Sequence, residues 1–240
     1  MNKDESKSTP TASELDALRR LDTPTICNAL EQVVPERRPY GYTSELFVCA
    51  RPELPPVVGY ARTATIRARQ PGSRPAAEAR AYRLEYLKYL WNGPKPFVVV
   101  IQDLDGYLAG YGSFWGEVHS TMHQALGAVA AITDGAMRDV DQLAPGFQLL
   151  ARKVVPSHAY DHLVEFGGEV SVCGMVVHSG ELVHLDRHGA VLIPAEAVAR
   201  VPAAADLIQR REKVILDACR RPDFSYEQLV EALGEADQIH

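Results

Sequence analysis

The chain has 240 residues, of which 46% are hydrophobic and 23% charged, a composition typical of a globular protein. Its formal net charge of −6 argues against general binding to nucleic acid, which needs a clustered basic surface, but leaves room for a pocket that binds a small anion. The four cysteines are far apart and form no C-x-x-C motif, so we expect reduced thiols and a cytoplasmic location. We expect neither a secretory signal nor a membrane span, because no apolar run is long enough.

The N-terminal third is predicted to be helical at its start and mixed afterwards. Residues 1–12 are polar and predict a disordered tail, followed by a single domain over residues 13–240. Ser13 is the expected N-cap of a short helix, "ELDALRRL", and "DTPTICNALEQV" predicts a second helix. The alternating segment "VVGYARTATIRAR" (57–69) predicts a strand, and residues 75–91 predict a further helix.

The middle of the chain has the order of a βαβ unit. "PFVVVIQDLD" (96–105) is typical of a strand buried on both faces. Residues 116–127 predict a helix that ends at Gly127, and "AVAAITDG" (128–135) predicts a second strand that ends in an Asp134–Gly135 turn. The two strands are expected to run parallel.

The C-terminal half is predicted to be rich in short strands and to end in helices. The strand candidates are "FQLLARKVV", "EVSVCGMVV", "ELVHLD" and "AVLIP". A long helix over about 195–219 and a short one over 225–233 follow. The fold class expected from these elements is α/β.

Two segments of the βαβ unit are expected to meet at one edge of the sheet, since the carboxyl ends of parallel strands lie together. Gly116 and Glu117 begin the helix, and Arg138 and Asp139 follow the second strand. The N–H groups of a helix start bind anions, and Arg138 can bind a carboxylate through two hydrogen bonds. Asp139 and Glu117 are oxygen ligands suited to Mg²⁺ or Mn²⁺. The alternative is a solvated Arg–Asp pair that opens a short helix.

These residues resemble the signature of the RraA-like family, which includes the class II 4-hydroxy-4-methyl-2-oxoglutarate/4-carboxy-4-hydroxy-2-oxoadipate aldolases. The resemblance is carried by "LDTPTICNALE" (21–31), "WGEVHSTMHQALGAVAAITDGAMRDVDQL" (115–143) and "GELVHLDRHGAVLIPAE" (180–196), and it covers most of the chain after residue 20. It implies a swivelling-domain α/β sandwich with a βαβ core and flanking helices, assembled as a homotrimer or, as a dimer of trimers, a homohexamer.

The resemblance also implies roles for individual residues. Asp139 would be the direct protein ligand of a divalent metal, Mg²⁺ or Mn²⁺, and Glu117 would hold metal-bound water. Arg138 would bind a 2-keto acid and steady its enolate. Glu212 is a candidate second acidic residue supplied by a neighbouring subunit.

The backbone from Gly116 through Val118 to His119 would receive the substrate carboxylate. The implied function is a metal-dependent C–C lyase that performs retro-aldol cleavage or decarboxylation of a 2-keto acid, as in 4-hydroxy-4-methyl-2-oxoglutarate aldolase or oxaloacetate decarboxylase. The alternative is a non-catalytic regulator that resembles the inhibitor of ribonuclease E, a function that does not require the Asp–Arg pair.

Three features depart from the family pattern: His119, the loop over 103–117 and an extended segment around 34–56. His119 stands where the aldolases usually have an apolar residue, and it is a candidate proton donor or base. Together with His123 it forms a pair four residues apart, for which polar packing is the alternative to a functional role. The loop over 103–117 is long and aromatic, and its Tyr107, Tyr111, Phe114 and Trp115 form either a lid or a packing cluster.

Overall fold

The computed structural model describes residues 9–240, so most of the tail expected over residues 1–12 lies outside the described part of the chain. The described chain divides into two compact units. Tyr40–Pro194 form one unit, and the segments up to Pro39 and over Ala195–His240 form the other. The expectation of a single domain over residues 13–240 stays a prediction.

Six α-helices lie within residues 9–240: α1 (Ala12–Arg19), α2 (Thr23–Val33), α3 (Ala76–Trp91), α4 (Glu117–Leu126), α5 (Val201–Cys219) and α6 (Tyr226–Asp237). Eleven strands lie in the same part of the chain: β1 (Val48–Cys49), β2 (Val57–Arg67), β3 (Phe97–Asp103), β4 (Ser113–Trp115), β5 (Ala128–Met137), β6 (Gln148–Val154), β7 (His162–Phe166), β8 (Val170–Val172), β9 (Met175–Val177), β10 (Leu182–Asp186) and β11 (Gly189–Ile193). The sequence predicts a helix at each of the six positions. The long C-terminal helix begins at Val201 rather than at residue 195, because a 3-10 turn occupies Ala195–Ala197.

The helical unit contains α1, α2, α5 and α6, and its first helix begins earlier than expected. Thr11, not Ser13, is the N-cap of α1, which starts at Ala12. The Glu14 N–H donates to Thr11 Oγ1 at 3.2 Å, and the Thr11 N–H donates to the Glu14 carboxylate at 2.8 Å. This reciprocal pair satisfies two backbone donors at once, which a cap at Ser13 would not do.

The other unit is built on a mixed sheet in the order β1-β6-β5-β3-β2-β10-β11. The four central strands β6, β5, β3 and β2 are parallel, and β1, β10 and β11 pair antiparallel at the two sides. Strand β7 pairs antiparallel with the second half of β2, and β4 pairs parallel with the end of β5. The short hairpin β8–β9 forms a separate two-stranded sheet.

The predicted βαβ unit is present as β3, α4 and β5. Strand β3 pairs parallel with β5, and Gly127 ends α4 in the left-handed conformation, at φ 109°. Val98, Val99, Val100 and Ile101 are fully buried, and alternate residues pack into two apolar clusters. The β-branched run is therefore covered on both faces, as its composition predicts.

The predicted turn at Asp134–Gly135 is wrong, because both residues lie inside β5. The strand continues to Met137 with a register shift after Thr133, since β4 supplies a further parallel partner. The Gly135 N–H donates to Thr133 Oγ1 at 2.9 Å, and the Asp103 N–H donates to Asp134 Oδ1 at 2.7 Å. Side-chain oxygens thus accept hydrogen bonds from backbone N–H groups where the strand pairing is irregular.

The β-rich C-terminal half is confirmed, with two differences: the single strand candidate "EVSVCGMVV" forms the hairpin β8–β9, and the sequence did not reveal β7. Strand β7 is half-buried at every position except the exposed Glu165, and its sequence carries no long apolar run. Among the helices of residues 9–240, none combines the length and the apolar character that a bilayer-spanning segment requires.

Candidate functional site

The two segments expected to meet do lie together at the end of β5. Gly116 is the N-cap of α4 and Glu117 is its first residue. The Glu117 N–H donates to Asp139 Oδ2 at 3.3 Å, and the Arg138 N–H donates to the Trp115 carbonyl at 2.9 Å. The structure thus brings Gly116, Glu117, Arg138 and Asp139 into one site.

The absence of a side chain at Gly116 creates the space in which the Asp139 carboxylate lies. A Cβ built on Gly116 would be 2.6 Å from Asp139 Oδ2 and 3.2 Å from Arg138 Cγ. The backbone of Gly116 is extended, at φ −169°, so any residue could adopt its conformation. Close approach, rather than backbone freedom, is therefore the reason for glycine here.

Arg138 and Asp139 form an ion pair, with 3.3 Å between Nη1 and Oδ2 and side chains 36% and 32% exposed. A pair this exposed contributes little to stability. Asp139 also has a left-handed backbone, at φ 51° and ψ 43°, which is uncommon outside glycine and is enriched at functional positions. The exposed ion pair fits either alternative, and the left-handed backbone of Asp139 is the feature that favours a binding role.

The site fits a divalent cation that keeps several water ligands. Among residues 9–240, no group of three or more His, Cys, Asp or Glu side chains is placed to hold a metal. The Asp139 carboxylate nevertheless lies in the space left by Gly116, and Glu117, which is exposed and next in the chain, brings a second carboxylate to the same segment. Mg²⁺ is commonly bound by one or two carboxylates, with waters and substrate as its other ligands. Glu212 is exposed on α5, and its role across a subunit interface stays a prediction.

His119 lies in the first turn of α4, with both ring nitrogens engaged. Nδ1 contacts the Phe114 carbonyl, and Nε2 is 3.2 Å from Arg83 Nη2. Because a guanidinium can only donate, Nε2 accepts and Nδ1 carries the proton. Burial lowers the pKa of His119 despite the bond to Phe114, so the ring is neutral near pH 7.

His123 belongs to a separate buried network. Its Nε2 is 2.9 Å from the Tyr86 hydroxyl, and its Nδ1 is 2.6 Å from the His119 carbonyl. Burial lowers the pKa of His123 to about 3. The interpretation of His123 as a polar-packed residue is confirmed, and its contacts fix α3 against α4.

A cavity of about 870 Å³ lies within the Tyr40–Pro194 unit and includes Gly116, Val118, His119 and Arg138 in its lining. Five arginines line it: Arg67, Arg74, Arg80, Arg83 and Arg138. Asp161 is the lining's acidic residue, and burial raises its pKa. The sequence did not single out Arg83 or Asp161, because arginines on one side of a helix have the same pattern as an ordinary solvated face.

The aromatic residues of the loop over 103–117, predicted to form either a lid or a packing cluster, fall into a buried pair and an exposed pair. Phe114 and Trp115 are buried and stack edge to face, with 5.5 Å between ring centroids, so packing is their role. Tyr107 and Tyr111 are 89% and 56% exposed. A lid formed by these two tyrosines stays a prediction.

Comparisons with known proteins agree with this architecture. The family model described as "RraA-like: Aldolase/RraA" matches residues 23–192. An uncharacterised protein from Methanocaldococcus jannaschii is 28% identical over 109 residues, which are 45% of this chain and 52% of that protein. The chain thus spans about half the length of this curated relative.

Two solved structures share the fold. An uncharacterised protein from Pseudomonas syringae pv. tomato has a TM-score of 0.70 and 21% identity, with 94% of this chain and 96% of that chain covered. Streptomyces coelicolor RraAS2, described as an unusual member of the RNase ES inhibitor RraA protein family, has a TM-score of 0.66 and 19% identity, with 86% and 96% covered. At these identities the likeness shows the fold alone.

Proposed function

The chain belongs to the RraA-like family, and from this premise we propose that it is a divalent-metal-dependent C–C lyase acting on a 2-keto acid. The observation that carries the proposal is the position of the Asp139 carboxylate, in the space left by Gly116 and beside the Arg138 guanidinium. A carboxylate, a guanidinium and a helix start form a site for a cation and an anionic substrate together.

Asp139 would hold Mg²⁺ or Mn²⁺ directly, and Glu117 would hold it through water. When bound, the cation supplies Lewis acidity to the keto acid. Asp139 is fixed for this role by the N–H of Glu117 and by its ion pair with Arg138.

The start of α4 would bind the substrate carboxylate. The first N–H groups of a helix have no acceptor within the helix, and those of Val118 and His119 belong to the first turn after Gly116. They present partial positive charge to an anion. The carboxylate would thus be held beside Arg138, which lines the same cavity.

Arg138 would donate to the keto oxygen of the substrate. When the C3–C4 bond breaks, its electron pair forms the enolate of pyruvate, and negative charge grows on that oxygen. The contact with Arg138 therefore strengthens in the transition state, which is the condition for acceleration. Protonation of the enolate at C3 then gives pyruvate.

The two candidate reactions differ in their need for a base. Retro-aldol cleavage requires removal of the C4 hydroxyl proton, for which water held by Glu117 is our candidate. Decarboxylation releases CO₂ and needs no base. His119 would act as the base only after release of Arg83 from Nε2, so the geometry favours held water.

The test is pyruvate release from hydroxy-keto acids, including 4-hydroxy-4-methyl-2-oxoglutarate, and from oxaloacetate, with and without Mg²⁺ or Mn²⁺. We expect metal-dependent release from at least one substrate. Its absence across such a panel would count against a lyase. We further propose a homotrimer or homohexamer, which light scattering after size exclusion would measure.

A further inference from the structure

We infer that Arg83 of α3 is a specificity-determining residue that binds a second anionic group, at the far end of the 2-keto acid, and that His119 positions it. The inference rests on the proposed function, because it assigns the part of the substrate that the Gly116–Asp139 site leaves unassigned.

The cavity has more positive charge than its own carboxylates balance. Arg67 pairs with Asp105 at 3.3 Å, and Arg138 pairs with Asp139 at the same distance. Arg80 and Arg83 form no ion pair within the described chain. A ligand with one carboxylate would occupy the Arg138 end and leave these charges unbalanced, whereas a dicarboxylate would neutralise both ends.

Arg74 is an unsuitable receptor although it lines the same cavity. It donates to the carbonyls of Leu163 and Val164, each at 3.0 Å, and lies over the Tyr82 ring. Its donors are thus used by the chain itself. In contrast, Arg83 donates one side-chain hydrogen bond, to His119, out of the five N–H donors of a guanidinium. Arg83 therefore retains donors for a ligand.

His119 has the geometry of a positioning residue for Arg83. The ring is held by the Phe114 carbonyl and stacks on the Phe114 ring, with 4.2 Å between centroids. As a neutral acceptor it binds one N–H of Arg83 without neutralising the guanidinium charge. His119 thereby has a specific function at the start of α4.

Asp161 lines the same cavity as Arg83 and Arg138. The positive charges of both arginines oppose the rise in its pKa that burial causes. Both arginines also line the continuous volume of about 870 Å³. One ligand can therefore contact both, provided that it carries an anionic group at each end.

The experiment compares two keto acids of the same chain length, 2-oxoglutarate and 2-oxopentanoate, which differ by the second carboxylate. Calorimetric titration in the presence of Mn²⁺ gives the affinity of each for the wild type, Arg83→Gln and Lys88→Gln. Lys88 is exposed on the same helix and does not line the cavity, so it is the matched control.

We expect the wild type and Lys88→Gln to bind 2-oxoglutarate at least about tenfold more tightly, as a charge-assisted contact implies. Arg83→Gln should lose this preference while its affinity for 2-oxopentanoate stays unchanged. His119→Ala should reduce the preference in the same ligand-selective way, which a general structural defect would not do.

Arg83→Gln that retains the preference, or that weakens both ligands equally, would overturn this inference and leave the proposed function standing. If neither keto acid binds to the wild type, the proposed function fails and the inference fails with it.

Discussion

The backbone N–H of Glu117 donates to the carboxylate of Asp139, 22 residues further along the chain, with 3.3 Å between the two atoms. This bond joins the start of α4 to the segment that follows β5. The same carboxylate oxygen pairs with Arg138, so the position of one side chain depends on both segments.

Gly116→Ala should lower the rate of turnover roughly a hundredfold without unfolding the protein. The new Cβ would meet Asp139 Oδ2 at 2.6 Å and displace the carboxylate, and misplacement of a catalytic group by about 1 Å costs roughly a hundredfold in rate. The measurement is metal-dependent turnover together with thermal unfolding. Gly234→Ala is the control, since nothing lies within 4 Å of a Cβ there. Full turnover by Gly116→Ala would show that the close approach is unimportant.

Mn²⁺ and oxalate together should stabilise the wild type against heat. A ligand at a hundred times its dissociation constant adds about 2.7 kcal/mol to stability. Asp139→Asn should lose this shift, because an amide is a poor metal ligand and asparagine still tolerates a left-handed backbone. Asp141→Asn, two residues away and exposed, should keep it. Equal shifts in the two variants would contradict Asp139 as the metal's ligand, and no shift in the wild type would favour the non-catalytic regulator.

Arg138→Gln should lower kcat/KM by about 10²–10³-fold, the usual cost of removing a donor from developing negative charge. The affinity for pyruvate should fall less, because charge on the keto oxygen is greatest in the transition state. Steady-state kinetics and pyruvate titration separate the two effects. Arg187→Gln, an exposed arginine outside the cavity, is the control. A loss confined to KM would assign Arg138 to ground-state binding only.

Asp134 should make stability depend on pH. Burial raises its pKa to about 7 from an ordinary 3.8, although the N–H of Asp103 opposes the shift. Between these values the folded protein holds a proton that the unfolded chain has lost, so stability falls as pH rises through this window.

The matched variant for Asp134 is Asp134→Asn, which keeps an oxygen for the Asp103 N–H and cannot ionise. Relative to the wild type, it should gain up to about 4 kcal/mol between pH 4 and pH 8, since the shift is about three pKa units and one unit corresponds to about 1.4 kcal/mol. Urea unfolding at the two pH values measures this gain. Parallel pH profiles of the two proteins would contradict the assignment. Burial lowers the pKa of His123, so this residue makes stability change with pH in the opposite direction, and its contribution cancels when the variant is compared with the wild type.

The sequence predicts the meeting of Gly116 with Asp139 because parallel strands end at one edge of a sheet, a rule that needs only the order of elements. It does not predict β4, whose three residues lie inside an aromatic loop and pair with the end of β5. That pairing continues β5 through Asp134–Gly135, where the local sequence favours a turn. The contact of Arg83 with His119 joins two helices and has no local signal.

The most direct test of the metal-site assignment is the rate of pyruvate release in Mn²⁺, compared between the wild type, Asp139→Asn and Asp141→Asn at equal protein concentration. The Asp139→Asn sample contains the same Mn²⁺, so it also serves as the control for cleavage by the free metal. We predict a metal-dependent rate for the wild type and Asp141→Asn, and a rate at the protein-free background for Asp139→Asn. A rate for Asp139→Asn equal to that of the wild type would contradict the assignment of Asp139 as the metal's ligand.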